Sequence, residues 1–228
     1  MGNEIARIGG VPIYRDSERL SYVAGLAIDA DGAPTAYAPS GAGLAPLDHL
    51  ANAGKPGNWW GVAVGPDGEP VIQGPTDPAP GYYVSTTALA DPMRKRTDPR
   101  RYVDSSTVAY VAVPKELLAL GVKMGQSARV SYHGRTAGAI VADVGPRGKI
   151  GEGSIALARQ LGIDPSPRTG GVQSGVGVVI DLTSPAGWSG FHARRLLLHP
   201  RTAGKIGLML LGVLAVAGLL YLIGTARR

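Results

Sequence analysis

Two acids nine residues apart, Asp143 and Glu152, are the side chains of this sequence best suited to divide acid and base work. Asp143 closes an apolar run, AGAIVAD, so burial should disfavour its charge and raise its pKa. Glu152 stands shortly before a helix expected to begin at Ile155, where the positive end of the helix favours an ionised carboxylate. Carboxyls pushed in opposite directions suit hydrolysis of a glycosidic bond, in which one acid protonates the leaving oxygen and the other activates water. The intervening VGPRGKIG has to fold back to bring the pair together, and Gly145, Pro146, Gly148 and Gly151 supply the turns. The same spacing also fits a structural use, with Asp143 capping a turn and Glu152 capping the helix.

Asp29 and Asp31, in IDADG, are candidates for contacts to sugar hydroxyls or amines, and equally for turn residues ahead of Gly32. A calcium loop is incomplete there, because no Glu follows at the twelfth position. Trp59, Trp60, Tyr82 and Tyr83 could stack on sugar rings. Adjacent aromatics on a strand point to opposite faces, so one of each pair, Trp60 and Tyr83, is assigned to a groove. Ser85 and Thr87 are candidates to hydrogen-bond the site, or else the polar face of a strand. No metal and no cofactor is expected: His49, His133, His192 and His199 have no ligand spacing, there is no cysteine, and no Gly-x-Ser-x-Gly element occurs.

The elements that must position these residues read as short strands in a turn-rich body, since 34 Gly and 18 Pro leave little room for long helices. Apolar runs bounded by Asp-Gly, Pro or Gly occur at LAIDADGAP, GVAVGPDGEPVIQGP and GYYVSTTAL, each expected to be a strand. A short helix is expected over 47–53 and a loop over 91–104. In the second half, TVAYVAVP reads as a strand, 115–120 as a helical turn closed by Gly121, and SARVSYHG and TAGAIVADVG as two strands about His133-Gly134. Ser154 should cap a helix with Ile155, Ala158 and Leu161 on one face and Gly162 as its stop, and GVGVVIDL forms the last strand.

Charge separates the body from the C-terminus. All 17 acids and 17 of the 23 bases fall in residues 1–193, so the net charge of +6 belongs to 194–228 and a nucleic-acid partner is not expected. One basic cluster in the body, around Arg94, Lys95, Arg96, Arg100 and Arg101, reads as a solvated loop. Residues 206–226 are uncharged and as a helix would reach roughly 32 Å, about the thickness of a bilayer core. The organisation expected is an N-terminal extension over 1–19, a glycan-hydrolase-like domain over 20–187, a basic stalk over 188–205 and one C-terminal transmembrane α-helix over 206–226. The chain is thus expected to meet a membrane through that helix, on a side the flanking charges do not fix.

The stretch VPKELLALGVKMGQSARVSYHGRTAGAIVADVGPRGKIGEGSIALARQLGI, residues 113–163, resembles a double-psi β-barrel, in which Asp-x-Gly-Pro follows a barrel strand and its Asp lies in the substrate groove. The fold class expected is therefore mainly β, a double-psi β-barrel-like core with short helices plus the transmembrane helix. The string DVGPRGKIGEGSIALARQLG is similar to the signature of the family-75 glycoside hydrolases, the fungal-type chitosanases. AIDADGAPTAY, LDHLANAGKPGNWWG, VIQGPTDPAPGYYVSTTAL and RYVDS extend the likeness over residues 20–182. The resemblance implies an inverting endo-hydrolase of β-1,4-linked glucosamine polysaccharide that needs no metal, with Asp143 and Glu152 on the catalytic positions. Chitosan is a polycation, so Asp29, Asp31, Asp143 and Glu152 would have to form an acidic groove in an otherwise neutral body. Two other readings stay open: a cell-wall glycan hydrolase acting in lysis, and a non-catalytic, membrane-anchored glycan-binding module.

Overall fold

A computed structural model describes residues 2–191. Ten strands form: β1 (Asn3–Ile8), β2 (Val11–Arg15), β3 (Arg19–Asp29), β4 (Gly54–Lys55), β5 (Asn58–Trp59), β6 (Tyr110–Ala112), β7 (Ser127–Tyr132), β8 (Arg135–Asp143), β9 (Glu152–Ser154) and β10 (Val172–Asp181). Two α-helices, α1 (Lys115–Ala119) and α2 (Ile155–Leu161), interrupt them. Six strands close into a barrel in the order β3, β10, β7, β8, β6, β9 and back to β3. The β3–β9 and β6–β8 pairings are parallel and the other four antiparallel.

Alternation along β3 drives the closure: Leu20, Tyr22, Ala24, Leu26 and Ile28 turn inward, while Arg19, Val23 and Ala27 are exposed. The core they enter includes Val130 of β7, Val141 of β8, Val178 and Ile180 of β10, and Leu157 and Leu161 of α2. β8 begins as a half-exposed strand and ends buried on both faces. A second cluster of Leu89, Val103, Tyr110, Ile140, Ala142 and Phe191 covers its outer side. β7 and β8 are joined at His133 and Gly134, both at positive φ (44° and 79°), the geometry of a two-residue hairpin turn that suits the strand twist.

Ser154 has a larger role than a helix cap. Its Oγ accepts from Leu157 N (3.1 Å) and also from Tyr110 N (3.0 Å), tying the start of α2 to β6 with no solvent exposure. Ser154→Ala strands two buried N–H groups, and the expected loss is about 2–4 kcal/mol, read as a lower urea midpoint at unchanged slope.

Several expectations are corrected. Residues 3–15, expected as an extension, form a hairpin whose second strand pairs with β3, and Ile8 and Ile13 enter the common core. The runs over 61–75 and 81–89 make isolated bridges, Val62 to Ser85 and Ile72 to Tyr83 among them, in place of regular strands. Pro66, Pro70, Pro75 and Pro78 lack the N–H groups a continuous ladder requires. The 47–53 helix shortens to a 3₁₀ turn at Leu50–Ala53. The fold expectation is also corrected at its C-terminal element: no helix among the described residues is long and apolar enough to cross a membrane. α1 and α2 have five and seven residues, roughly 8 and 10 Å of helix against the ~30 Å a bilayer core requires. The stalk beyond Phe191 and the span over 206–226 lie outside the described residues.

Candidate active site

Asp143 and Glu152 converge through a third strand. Ala112 of β6 is in register with Asp143 on its parallel neighbour β8 and with Glu152 on its antiparallel neighbour β9. Two strand spacings put the two acids' Cα atoms roughly 10 Å apart in one row. Between them the floor is kept low by small residues. A Cβ built on Gly145 would lie 2.6 Å from Glu152 Oε2, so a side chain there would push the carboxylate aside. On the other side of β9, Ala27 pairs with Glu152, and β3 ends two residues later at Asp29.

The row opens into a cleft of about 410 Å³ whose lining includes Asp29, Asp31, Asp143, Glu152, Trp60 and Lys115. One carboxylate oxygen from each of Asp29, Asp31 and Asp143 lies within 4.8 Å of the others, a donor set that could also hold a divalent cation. Each acid is fixed by the backbone or a tyrosine. Asp143 Oδ1 accepts from Ala88 N (2.9 Å) and Val144 N (2.8 Å), Asp29 Oδ1 from Asp31 N (2.8 Å), and Asp31 Oδ1 from the Tyr37 hydroxyl (2.6 Å). Tyr110 donates to the Asp31 carbonyl (2.9 Å), and the Ser105 hydroxyl donates to that of Asp29.

Crowding and burial set the proton count. Asp143, 9% exposed, is held well above the usual carboxylate range by burial first and by the charge of Asp29 second. Burial and then Asp29 and Asp143 hold Asp31 well above that range too. Burial pushes Asp29 up to about 6, against the hydrogen bonds it accepts, with Asp48 adding to the rise. Glu152 is pushed up to about 7 by burial and Asp29, partly offset by Lys149. This overturns the expectation that a helix start keeps Glu152 ionised. The N–H groups at that start are already taken: Leu157 N by Ser154 Oγ, Ile155 N by Ser105 Oγ (3.1 Å) and Ala156 N by the Ser105 carbonyl (2.9 Å). Glu152 belongs to the strand before the helix and faces the other acids.

Asp29 is thus the hub of the cluster, and its neutralisation has a signed consequence. Its pKa rises from 3.8 to about 6 on folding, so the stability it contributes is complete below about pH 4 and is lost as pH climbs through 6. Asp29→Asn can keep the bond from Asp31 N and removes the charge. The variant is expected to match the wild type at pH 4 and to gain about 3 kcal/mol at pH 8, seen as a higher melting temperature. The same change lets Asp143 and Glu152 ionise at lower pH, so any pH–rate profile moves toward acid.

The remaining candidates divide. Trp60 is 58% exposed on the cleft lip, with Nε1 donating to the Asn52 carbonyl (2.8 Å), whereas Trp59 packs on the core. Tyr83 is half-buried against the core and lies outside the cleft lining. Ser85 and Thr87 are likewise not on the cleft surface: Ser85 Oγ accepts from Gly32 N and donates to the Gly61 carbonyl, and Thr87 Oγ1 accepts from Val103 N and donates to the Leu89 carbonyl. Their hydroxyls hold together the irregular 61–103 layer, which the alternating pattern could not reveal. Asp48 and Asn52 were missed. Asp48 is buried, accepts both bonds from Asn52 Nδ2 (2.9 and 3.0 Å), and so holds the segment that anchors Trp60. Their four-residue spacing in LDHLANAG was the available signal.

No protein-family model matches the chain, and no curated protein matches it in sequence.

Proposed function

We propose that this protein is a glycoside hydrolase that cuts β-1,4-linked, glucosamine-containing polysaccharide internally with inversion, as the resemblance to the family-75 chitosanases implies. The observation that carries the reading is Asp143 and Glu152 in register with one alanine, on the wall of a cleft rimmed by an exposed, anchored tryptophan. Asp143, whose charged form is disfavoured by burial and by the charge of Asp29, is the general acid. Glu152, titrating near 7, is the base that activates water. Asp31 and Asp29 lie too close to Asp143 to leave room for a sugar ring and a water, and Asp29 serves the acid by raising its pKa. Glu152, two strand spacings from Asp143, leaves that room.

The test is incubation of the full chain with chitosan and with peptidoglycan, measuring new reducing ends and, by proton NMR, the configuration first released. Reducing ends that appear as the α-anomer support the proposal. A β-anomer rules out inversion, and sugar binding with no turnover of either polymer replaces hydrolysis with glycan recognition.

A further inference from the structure

The carboxylate cleft does not end at Glu152. Two further hollows, of about 400 and 500 Å³, adjoin it, and Gly145 lies on the wall of all three. Pro146 and Glu152 are shared with the first of them and Lys115 with the second. The result is a continuous surface that is acidic where Asp29, Asp31 and Asp143 meet and carries Lys115 at its edge, Arg147 beside Glu116 in one hollow and Lys149 beside Glu152 in the other.

These three cations differ from the other basic cluster of the body. There Arg94 is tied to Asp91 (3.4 Å) and Asp98 (2.8 Å), and Arg100 to Asp77 (3.0 Å), so two of its five bases are paired with acids. Lys115 and Lys149 are exposed and have no ion-pair partner among the described residues. Arg147, 92% exposed, has only a 3.7 Å contact to Glu116, whose Oε1 also accepts from Gly148 N. A uniformly cationic chain laid along this surface would meet attraction at ionised carboxylates and repulsion at Lys115, Arg147 and Lys149.

Resting on the hydrolase reading above, we infer that the substrate is a β-1,4-linked hexosamine chain bearing carboxylate substituents, which Lys115, Arg147 and Lys149 receive beside the cutting point. Exposed single contacts of this kind contribute modestly, and three acting together justify an expected tenfold effect or more.

The probe is chitosan and O-carboxymethyl chitosan of matched chain length, offered to the wild type and to the triple variant Lys115→Gln, Arg147→Gln, Lys149→Gln. The wild type is expected to have the higher kcat/KM on the carboxymethylated polymer. The variant should lose at least tenfold there while its kcat/KM on plain chitosan rises, and added salt should shrink the difference. A wild type that prefers plain chitosan, or a variant that loses equally on both polymers, overturns the inference and leaves the hydrolase reading standing. Binding is measured in parallel by tryptophan fluorescence with Glu152→Gln. If neither polymer is cut but the carboxymethylated one still binds better in a manner the triple variant abolishes, the charge selection holds and hydrolysis fails. Equal binding without cutting ends both.

Discussion

Asp143→Asn is expected to lower the rate of polysaccharide cleavage by about 10²–10⁴-fold, the usual contribution of a positioned proton donor. The substitution is mild for the fold. An asparagine side chain can present the same oxygen to Ala88 N and Val144 N, and it replaces a carboxyl whose charged form burial disfavours. Melting temperature should therefore match the wild type in acid, where Asp143 is protonated folded or unfolded, and exceed it as pH rises, because the charged form of Asp143 is the one the folded state disfavours. The loss should depend on the leaving group. An aryl glycoside whose phenolate leaves without a proton should retain most of its wild-type rate, while the sugar-linked substrate does not. A variant that cuts both at nearly wild-type rate removes Asp143 from the acid's place and returns it to its structural use, accepting two N–H groups at the end of β8.

Glu152→Gln is the second large effect, again about 10²–10⁴-fold, but with a different signature. Water must be activated whatever the leaving group, so aryl glycosides and polysaccharide should suffer alike. Shortening the side chain to Ala leaves a space beside Gly145 and Ala112, the small residues that now surround the carboxylate. Azide, which needs no base, is expected to enter that space and restore bond cleavage, giving a glycosyl azide of inverted configuration. The wild-type acid limb should fall near pH 7, where Glu152 loses its proton, and should vanish in the rescued variant. Recovery of a retained azide product would instead make the residue's partner a nucleophile and require the two carboxyls to sit closer than two strand spacings allow.

Local regularity was legible wherever a residue's role depends on its neighbours in sequence. The strands around His133-Gly134, the Ser154 cap, the Gly162 stop in the left-handed conformation (φ 71°) and the final strand all follow from turn chemistry and apolar period. The burial of Asp143 was legible because it closes an apolar run, AGAIVAD. In the basic loop over 91–104, Arg94 likewise finds its acids, Asp91 and Asp98, within four residues, whereas Arg100 reaches Asp77 from another segment.

What the amino-acid sequence determined by itself, then, was the supply of turns, caps and alternating strands, and the acids eligible for chemistry, because those depend on contacts within a few residues. Only the tertiary structure decided which of them meet. The short strand β9 has three residues and no period to read, yet its pairing with both β3 and β6 closes the barrel and sets Glu152 opposite Asp143. The same closure brings Asp29 and Asp31 across more than a hundred residues to the carboxyl of Asp143 and turns Ser85 and Thr87 inward. Proton affinity follows from that meeting: the cost of a carboxyl's charge is set by the water excluded and the other charges gathered around it, and both are properties of the closed barrel.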